Sequence, residues 1–301
     1  MKSRPLWKVS VTTSPEAEEA GEALLQTAFN LPVTSYTHFE SGTTEPTVYL
    51  DREPHEDAGA EARLRTGLAR IKKCGLDIGH GKISFAKVRR EDWAESWKRH
   101  FHPMAIGKAL LVKPSWSLRK PGKGQKVVVL DPGLSFGTGQ HPTTSFCLAQ
   151  LVQLRRSGER QSLLDVGTGS GILAIAAAKL RYSPVEAFDF DPEAVRVAGA
   201  NARKNRVENK LHLARRDLTQ LPVRSSHKYT VICANLISTL LVSSASRLLS
   251  RLQPRGALII AGVLDREFAG VQRVYEEAGM RLTASRVGGE WRSGTFVRRQ
   301  N

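Results

Sequence analysis

The chain has 301 residues, with 45 Lys and Arg against 29 Asp and Glu, a formal net charge of +16. Hydrophobic residues make up 41%, enough for a core in each of two domains, and no run approaches the ~20 apolar residues that a membrane helix needs. Cys74, Cys147 and Cys233 lie too far apart for a zinc-type site or a disulfide framework, so no metal is expected. Met1 to Trp7 is basic without an apolar stretch behind it, so no secretory leader is expected and the cytoplasm is the compartment indicated. The surplus of positive charge fits a polyanionic neighbour such as RNA, or equally a surface kept charged by composition alone.

Trp7 to Val11 alternates like a strand. Ser14-Pro15-Glu16 is a helix start: a hydroxyl N-cap, proline in the first turn and an acid near the positive end of the dipole. Leu24, Leu25 and Phe29 then share a helical side. Val33 to Phe39 and Thr47 to Leu50 are two expected strands. Ala58 to Lys73 is expected as a helix with Leu64, Leu68 and Ile71 inward, and Lys82 to Val88 as a closing strand. The order βαββαβ predicts a small α+β ferredoxin-like domain over residues 1–89. A linker helix over 90–101 follows, with Trp93, Trp97 and Phe101 at steps of four, a stripe best explained as core packing.

Residues 102–301 form the expected second domain. Ala109 to Pro114 and Lys126 to Leu130 are expected strands, followed by a Gly- and Pro-rich loop from Asp131 to Thr144. From Leu163 strands and helices alternate, which predicts a doubly wound, mostly parallel α/β sheet. The strands are Leu163–Val166, Val185–Phe188, Leu211–Ala214, Thr230–Ala234 and Ala257–Ala261, with helices Ile172–Leu180 and Pro192–Asn205. Arg281 to Val287 and Gly294 to Arg298 close the chain as an antiparallel hairpin.

Four motifs carry chemistry. Asp165-Val166-Gly167-Thr168-Gly169-Ser170-Gly171 joins an apolar strand to an Ala-rich helix. A dinucleotide site has G-x-G-x-x-G; here the third glycine comes one residue early, the spacing that methyltransferases use around the methionine part of S-adenosylmethionine. Asp189, at the end of the second strand, can accept hydrogen bonds from both ribose hydroxyls, as in a nicotinamide or an S-adenosylmethionine enzyme. Asp191 is placed to cap the next helix. Asp217 is placed either to meet an adenine edge or to pair with an arginine. Asn235 stands where the fourth strand leaves the sheet, and Leu236-Ile237 replaces the Asn-Pro-Pro used by enzymes that methylate a planar base nitrogen. His141, the one histidine of the Gly-rich loop, reads as structural more readily than as a base.

With these motifs the chain resembles the PrmA family, the methyltransferases of the large-subunit ribosomal protein L-eleven. Asp131 to Thr144 is similar to that family's signature loop, Asp165 to Ile172 to its cofactor loop (with Thr168 where many members have cysteine), and Asp189-Phe190-Asp191-Pro192 and Ala234-Asn235-Leu236 also fit. The resemblance implies a class I S-adenosylmethionine-dependent methyltransferase fold, with cofactor contacts from Thr144, Gly167, Asp189 and Asn235. It implies methylation of lysine side chains and an N-terminal amine on a ribosomal protein of the large subunit, recognised by the N-terminal domain. No general base is assigned. A monomer with a ribosomal RNA contact through its basic surface is the accompanying expectation. The alternatives are another protein lysine or RNA as substrate, and, from a different class, a basic RNA-binding protein with a vestigial cofactor site.

Overall fold

The computed structural model describes residues 6–31, 33–35, 37–38, 42–51, 59–88, 102–131 and 141–299. The chain divides into two compact units, 1–100 and 101–301. The linker helix expected over 90–101, with its aromatic stripe, lies outside the described residues, as does the Gly-rich loop from 132 to 140.

The first unit is built on β1 (Leu6–Thr12), β2 (Thr37–His38), β3 (Thr43–Thr44), β4 (Thr47–Leu50) and β5 (Lys82–Val88), with helices α1 (Glu18–Phe29) and α2 (Ala60–Lys73). β1 lies between β4 and β5, antiparallel to both. Val9, Val11 and Val48 from the sheet meet Leu25 of α1 and Leu64 and Leu68 of α2 in one core. This is the αβ layering expected, with one correction. Of the strand expected over Val33–Phe39, the described residues 33–35 and 37–38 form only a bridge, Thr34 with Thr47, and the two-residue β2 paired with β3. The bridge spends both backbone groups of Thr47, and Pro46 beside it has no N–H with which to extend a ladder.

The second unit holds two sheets. β6 (Met104–Ile106), β7 (Leu110–Lys113) and β8 (Lys126–Val129) form a small one. The large one has seven strands: β9 (Leu163–Val166), β10 (Val185–Asp189), β11 (Leu211–Arg215), β12 (Tyr229–Asn235), β13 (Leu252–Leu264), β14 (Met280–Gly288) and β15 (Trp291–Arg298). Their order is β11-β10-β9-β12-β13-β15-β14, parallel from β11 to β13, with β15 antiparallel to both neighbours. This is the doubly wound, mostly parallel sheet with a terminal hairpin that the alternation of elements predicts.

Side chains alternate between the two faces. Leu163, Val185, Cys233 and Ile259 pack with α3 (Pro142–Leu154) and α4 (Ile172–Lys179). Leu164, Phe188, Ile232 and Leu258 pack on the opposite face with α6 (Ser238–Ser243), α7 (Ala245–Ser250) and α8 (Asp265–Glu277). Between α4 and α6 in sequence comes α5 (Pro192–Lys204), which buries Ala194, Ala198 and Ala202. Every residue of α4 from Ile172 to Ala178 is buried, and small alanines let it lie close to the strands. Helices α3, α6, α7 and α8 had no counterpart in the sequence reading. In α8, Phe268, Val271 and Tyr275 face inward at steps of three and four, the spacing of one helical side.

Candidate active site

The chain winds from β9 outward to β11, then returns across the sheet to β12. At that reversal neighbouring connections leave in opposite directions, and a crevice opens beyond the carboxyl ends of the strands. Gly167 follows β9, Asp189 ends β10 and Asn235 ends β12. All three line one pocket, together with Thr144 from the first turn of α3. The four residues expected at the cofactor, far apart in sequence, are thus brought to one place.

The glycine loop makes its turn with left-handed backbone: φ is +69° at Gly167, +53° at Gly169 and +81° at Gly171. A Cβ at Gly167 would stand 2.5 Å from Leu236 Cδ2, and one at Gly171 would stand 3.1 Å from Ala198 Cα. Only glycine allows both the turn and these approaches. The Thr168 hydroxyl donates to Asp165 Oδ2 at 2.6 Å, pinning the loop to the end of β9. Asp165 is buried, and burial pushes its carboxyl up to about 6, against the hydrogen bonds from Thr168 and Ala174 and assisted by the charge of Asp189.

Asp189 Oδ2 accepts from the Gly169 N–H at 2.9 Å, and Oδ1 accepts from the Asp191 N–H at 3.1 Å. Each oxygen keeps lone-pair capacity toward the pocket, so the carboxylate can also accept from a vicinal diol. Asp191 caps α5 through the Glu193 N–H at 2.8 Å, with Pro192 at the first helical position, as its sequence context indicates. Asp217 lines the pocket, but its Oδ1 accepts from the N–H and the hydroxyl of Thr219, each at 2.8 Å. Those two bonds hold its carboxylate below the ordinary range, and neither is to an arginine.

Three features of the site were not read from the sequence. Asn235 Nδ2 donates to Thr143 Oγ1 at 3.4 Å, and Thr143 Oγ1 lies 2.7 Å from His141 Nδ1. His141, at the N-cap of α3, meets Trp291 edge-on at 5.3 Å between ring centroids, and burial lowers its pKa. The imidazole therefore belongs to a chain of side chains that orients the Asn235 amide. Pro142 at the first helical position was the overlooked signal for α3. Second, Gly262, with φ +79°, lets Asn235 lie against β13, since a Cβ there would stand 2.9 Å from Asn235 Oδ1. No sequence motif marks it. Third, the Arg286 guanidinium donates to Pro142 O and Ser145 Oγ, each at 3.2 Å, tying β14 to the start of α3.

The pocket can be tested against S-adenosylmethionine on its own groups. Thr144 Oγ1 is buried and has no hydrogen-bond partner among the described residues. An orphaned hydroxyl costs free energy unless a ligand pairs with it, and an amino-acid carboxylate is the kind of group it would meet. Asp189 offers acceptors for ribose hydroxyls, Asn235 an amide oxygen for an ammonium, and Gly167 adds no side chain of its own to the pocket. The donor set fits.

A family model described as ribosomal protein L11 methyltransferase (PrmA) matches residues 5–299. A ribosomal protein L11 methyltransferase of Trichlorobacter lovleyi is 44% identical over 206 residues, 67% of this chain and 66% of that protein. Another, from Streptococcus equi subsp. zooepidemicus, is 35% identical over 233 residues, 77% of this chain and 72% of its own. The solved structure of a ribosomal protein L11 methylase from Lactobacillus delbrueckii subsp. bulgaricus superposes with a TM-score of 0.59 at 28% identity, over 66% of this chain and 100% of that one.

Proposed function

The chain belongs to the ribosomal protein L11 methyltransferase family, and on that premise we propose that it transfers methyl groups from S-adenosylmethionine to lysine side chains and the N-terminal α-amino group of ribosomal protein L11. The observation that carries this is the pocket at the switch point, where Thr144, Gly167, Asp189 and Asn235 converge and the Thr144 hydroxyl has no partner among the described residues.

In this proposal Asp189 holds the ribose, Thr144 donates to the carboxylate of the methionyl part, and Asn235 Oδ1 accepts from its ammonium. S-adenosylmethionine, when bound, supplies a methyl already activated on a sulfonium, so positioning is the protein's main contribution. A substrate lysine has an ordinary pKa near ~10.4 and must arrive neutral. Apolar Leu236, Leu240 and Phe190 around the pocket help exclude water from the ammonium, which favours its neutral form. The unit over residues 1–100 is assigned to substrate recognition. The remaining assignments are a monomer, acting in the cytoplasm, with ribosomal RNA as a second contact.

The test incubates the protein with methyl-labelled S-adenosylmethionine and, separately, purified L11 and ribosomal RNA. Label is expected in L11, at lysines and the N-terminus. Asp189→Ala should weaken cofactor affinity by about tenfold or more, the worth of a hydrogen bond to a charged group. Label in the RNA alone would reassign the substrate, and no cofactor binding by the wild type would end the proposal.

A further inference from the structure

All five parallel strands enter the sheet on one edge, opposite the edge that carries the pocket. Backbone bonds lash the entering segments side by side: Ser183 N–H to Gln161 O at 2.7 Å, Val231 N–H to Ser162 O at 3.0 Å and Tyr229 N–H to Arg251 O at 2.7 Å. Each segment brings an exposed cation: Arg160 before β9, Arg181 before β10, Lys210 before β11, Lys228 before β12 and Arg255 near the start of β13. The carboxylates in these segments are Glu159, which pairs with Arg156, and Glu208. None of the five cationic groups has a carboxylate partner among the described residues.

We infer that this amino-terminal edge of the large sheet is a docking surface for the phosphodiester backbone of duplex RNA. Neighbouring strands stand ~4.8 Å apart, so the five entries spread their charges over about 20 Å. A nucleic-acid duplex presents one charge per ~1.7 Å of its axis, so a rim of that length faces several phosphates at once. Helix dipoles do not account for the pattern. They favour a cation such as Lys179 in the last turn of α4, but Arg160, Arg181, Lys228 and Arg255 lie outside helices.

The rim continues onto Lys126 and Arg206, which with Lys210 surround Lys179. Burial, then the charges of Lys210, Arg206 and Lys126, hold the Lys179 ammonium below its ordinary range. Such a repulsive cluster gains from an anion placed over it. Guanidinium forks match phosphate oxygens. Tyr182 and Tyr229 of these segments are buried and His227 adds only a small exposed ring, so the rim offers little platform on which unpaired bases could stack. That favours a duplex read by its backbone over a single strand. The choice of RNA over DNA rests on the proposed ribosomal substrate; the surface itself does not.

Fluorescence anisotropy with a labelled 20-base-pair RNA tests the assignment across a salt series, using the full chain. The quadruple variant Arg160→Gln, Arg181→Gln, Lys210→Gln, Lys228→Gln should bind about tenfold or more weakly. The slope of log affinity against log salt should flatten by about 3 to 4, near one per lost phosphate contact. A control with the same charge change in the first unit, Arg70→Gln, Lys72→Gln, Lys73→Gln, Lys82→Gln, all exposed, should lose less than about threefold. Equal loss in both variants, or no salt-dependent binding by the wild type, would overturn the rim. Equal affinity for a DNA duplex of the same sequence would overturn the choice of RNA. Should the quadruple variant fail to bind S-adenosylmethionine, and so prove unfolded, Arg160→Gln with Lys228→Gln reads out the same effect at half the slope change. L11 methylation is scored in parallel, so a failed rim with intact methylation and a failed methyltransferase with intact RNA binding are told apart.

Discussion

Replacing Gly262 by alanine probes whether the Asn235 amide is held in place by close backbone approach. Gly262 lies in β13 where the pairing with β15 shifts register, between Ile260 and Val263, and its φ is +79°. A Cβ there would stand 2.8 Å from Leu236 O, 2.9 Å from Asn235 Oδ1 and 3.0 Å from Leu236 N. Two costs add. Left-handed backbone costs a residue with a Cβ ~1–2 kcal/mol. The contacts with Leu236 are to backbone and cannot be relieved by a change of rotamer, so overpacking adds ~1–3 kcal/mol. A total of about 3 kcal/mol lowers Tm by about 6 to 12 °C for a unit of this size. The clash with Oδ1 turns the amide, and losing its alignment weakens S-adenosylmethionine binding by about tenfold. Differential scanning fluorimetry and isothermal titration calorimetry measure the two effects. Gly270→Ala is the control: it is exposed in α8 with open space around its Cβ position, and should gain up to ~1 kcal/mol from helix propensity. Wild-type affinity and Tm in Gly262→Ala would refute the reasoning.

Two further substitutions separate binding from stability. Thr144→Val removes a buried hydroxyl that has no partner among the described residues. The free protein should keep its stability or gain up to ~1 kcal/mol while cofactor affinity falls about tenfold; calorimetry showing unchanged affinity would take Thr144 out of the contact set. Asp165, with its carboxyl raised to about 6, binds a proton more tightly folded than unfolded. Its effect on stability therefore becomes less favourable as pH rises from about 4 through 6, by on the order of 3 kcal/mol, and levels off above. Urea titrations between pH 4 and 8 should show that decline in the wild type and lack it in Asp165→Asn. Parallel pH profiles for the two proteins would rule this account out.

Local pattern determined much of this protein. The alternation of apolar strands with helices from Leu163 onward is enough to predict a parallel sheet, because strands buried on both faces and helices buried on one leave different periodicities. The left-handed turn of Gly167-Gly169-Gly171, the cap at Asp191 and the carboxylate at the end of β10 are also local, and each depends on residues within a few positions. So the cofactor class could be read from the chain itself. The helices α6 and α7 escaped because each spans six residues, too few for a period to show. The strand expected over Val33–Phe39 is shorter among its described residues because pairing is decided by the partner, and Pro46 limits what β4 can offer.

What only the tertiary structure decided is the part that depends on distant residues meeting. Gly262 matters because β13 runs beside β12 in parallel register, and nothing near it in sequence reveals Asn235. In the chain from His141 through Thr143 to Asn235, the bond between Thr143 and Asn235 joins residues 92 positions apart. The basic rim is the widest case. Composition states the surplus of charge, but exposed cations from five separate segments reach one edge only because the five strands they precede or begin are parallel. Backbone periodicity is written in neighbours along the chain, whereas register and proximity are set by packing across it.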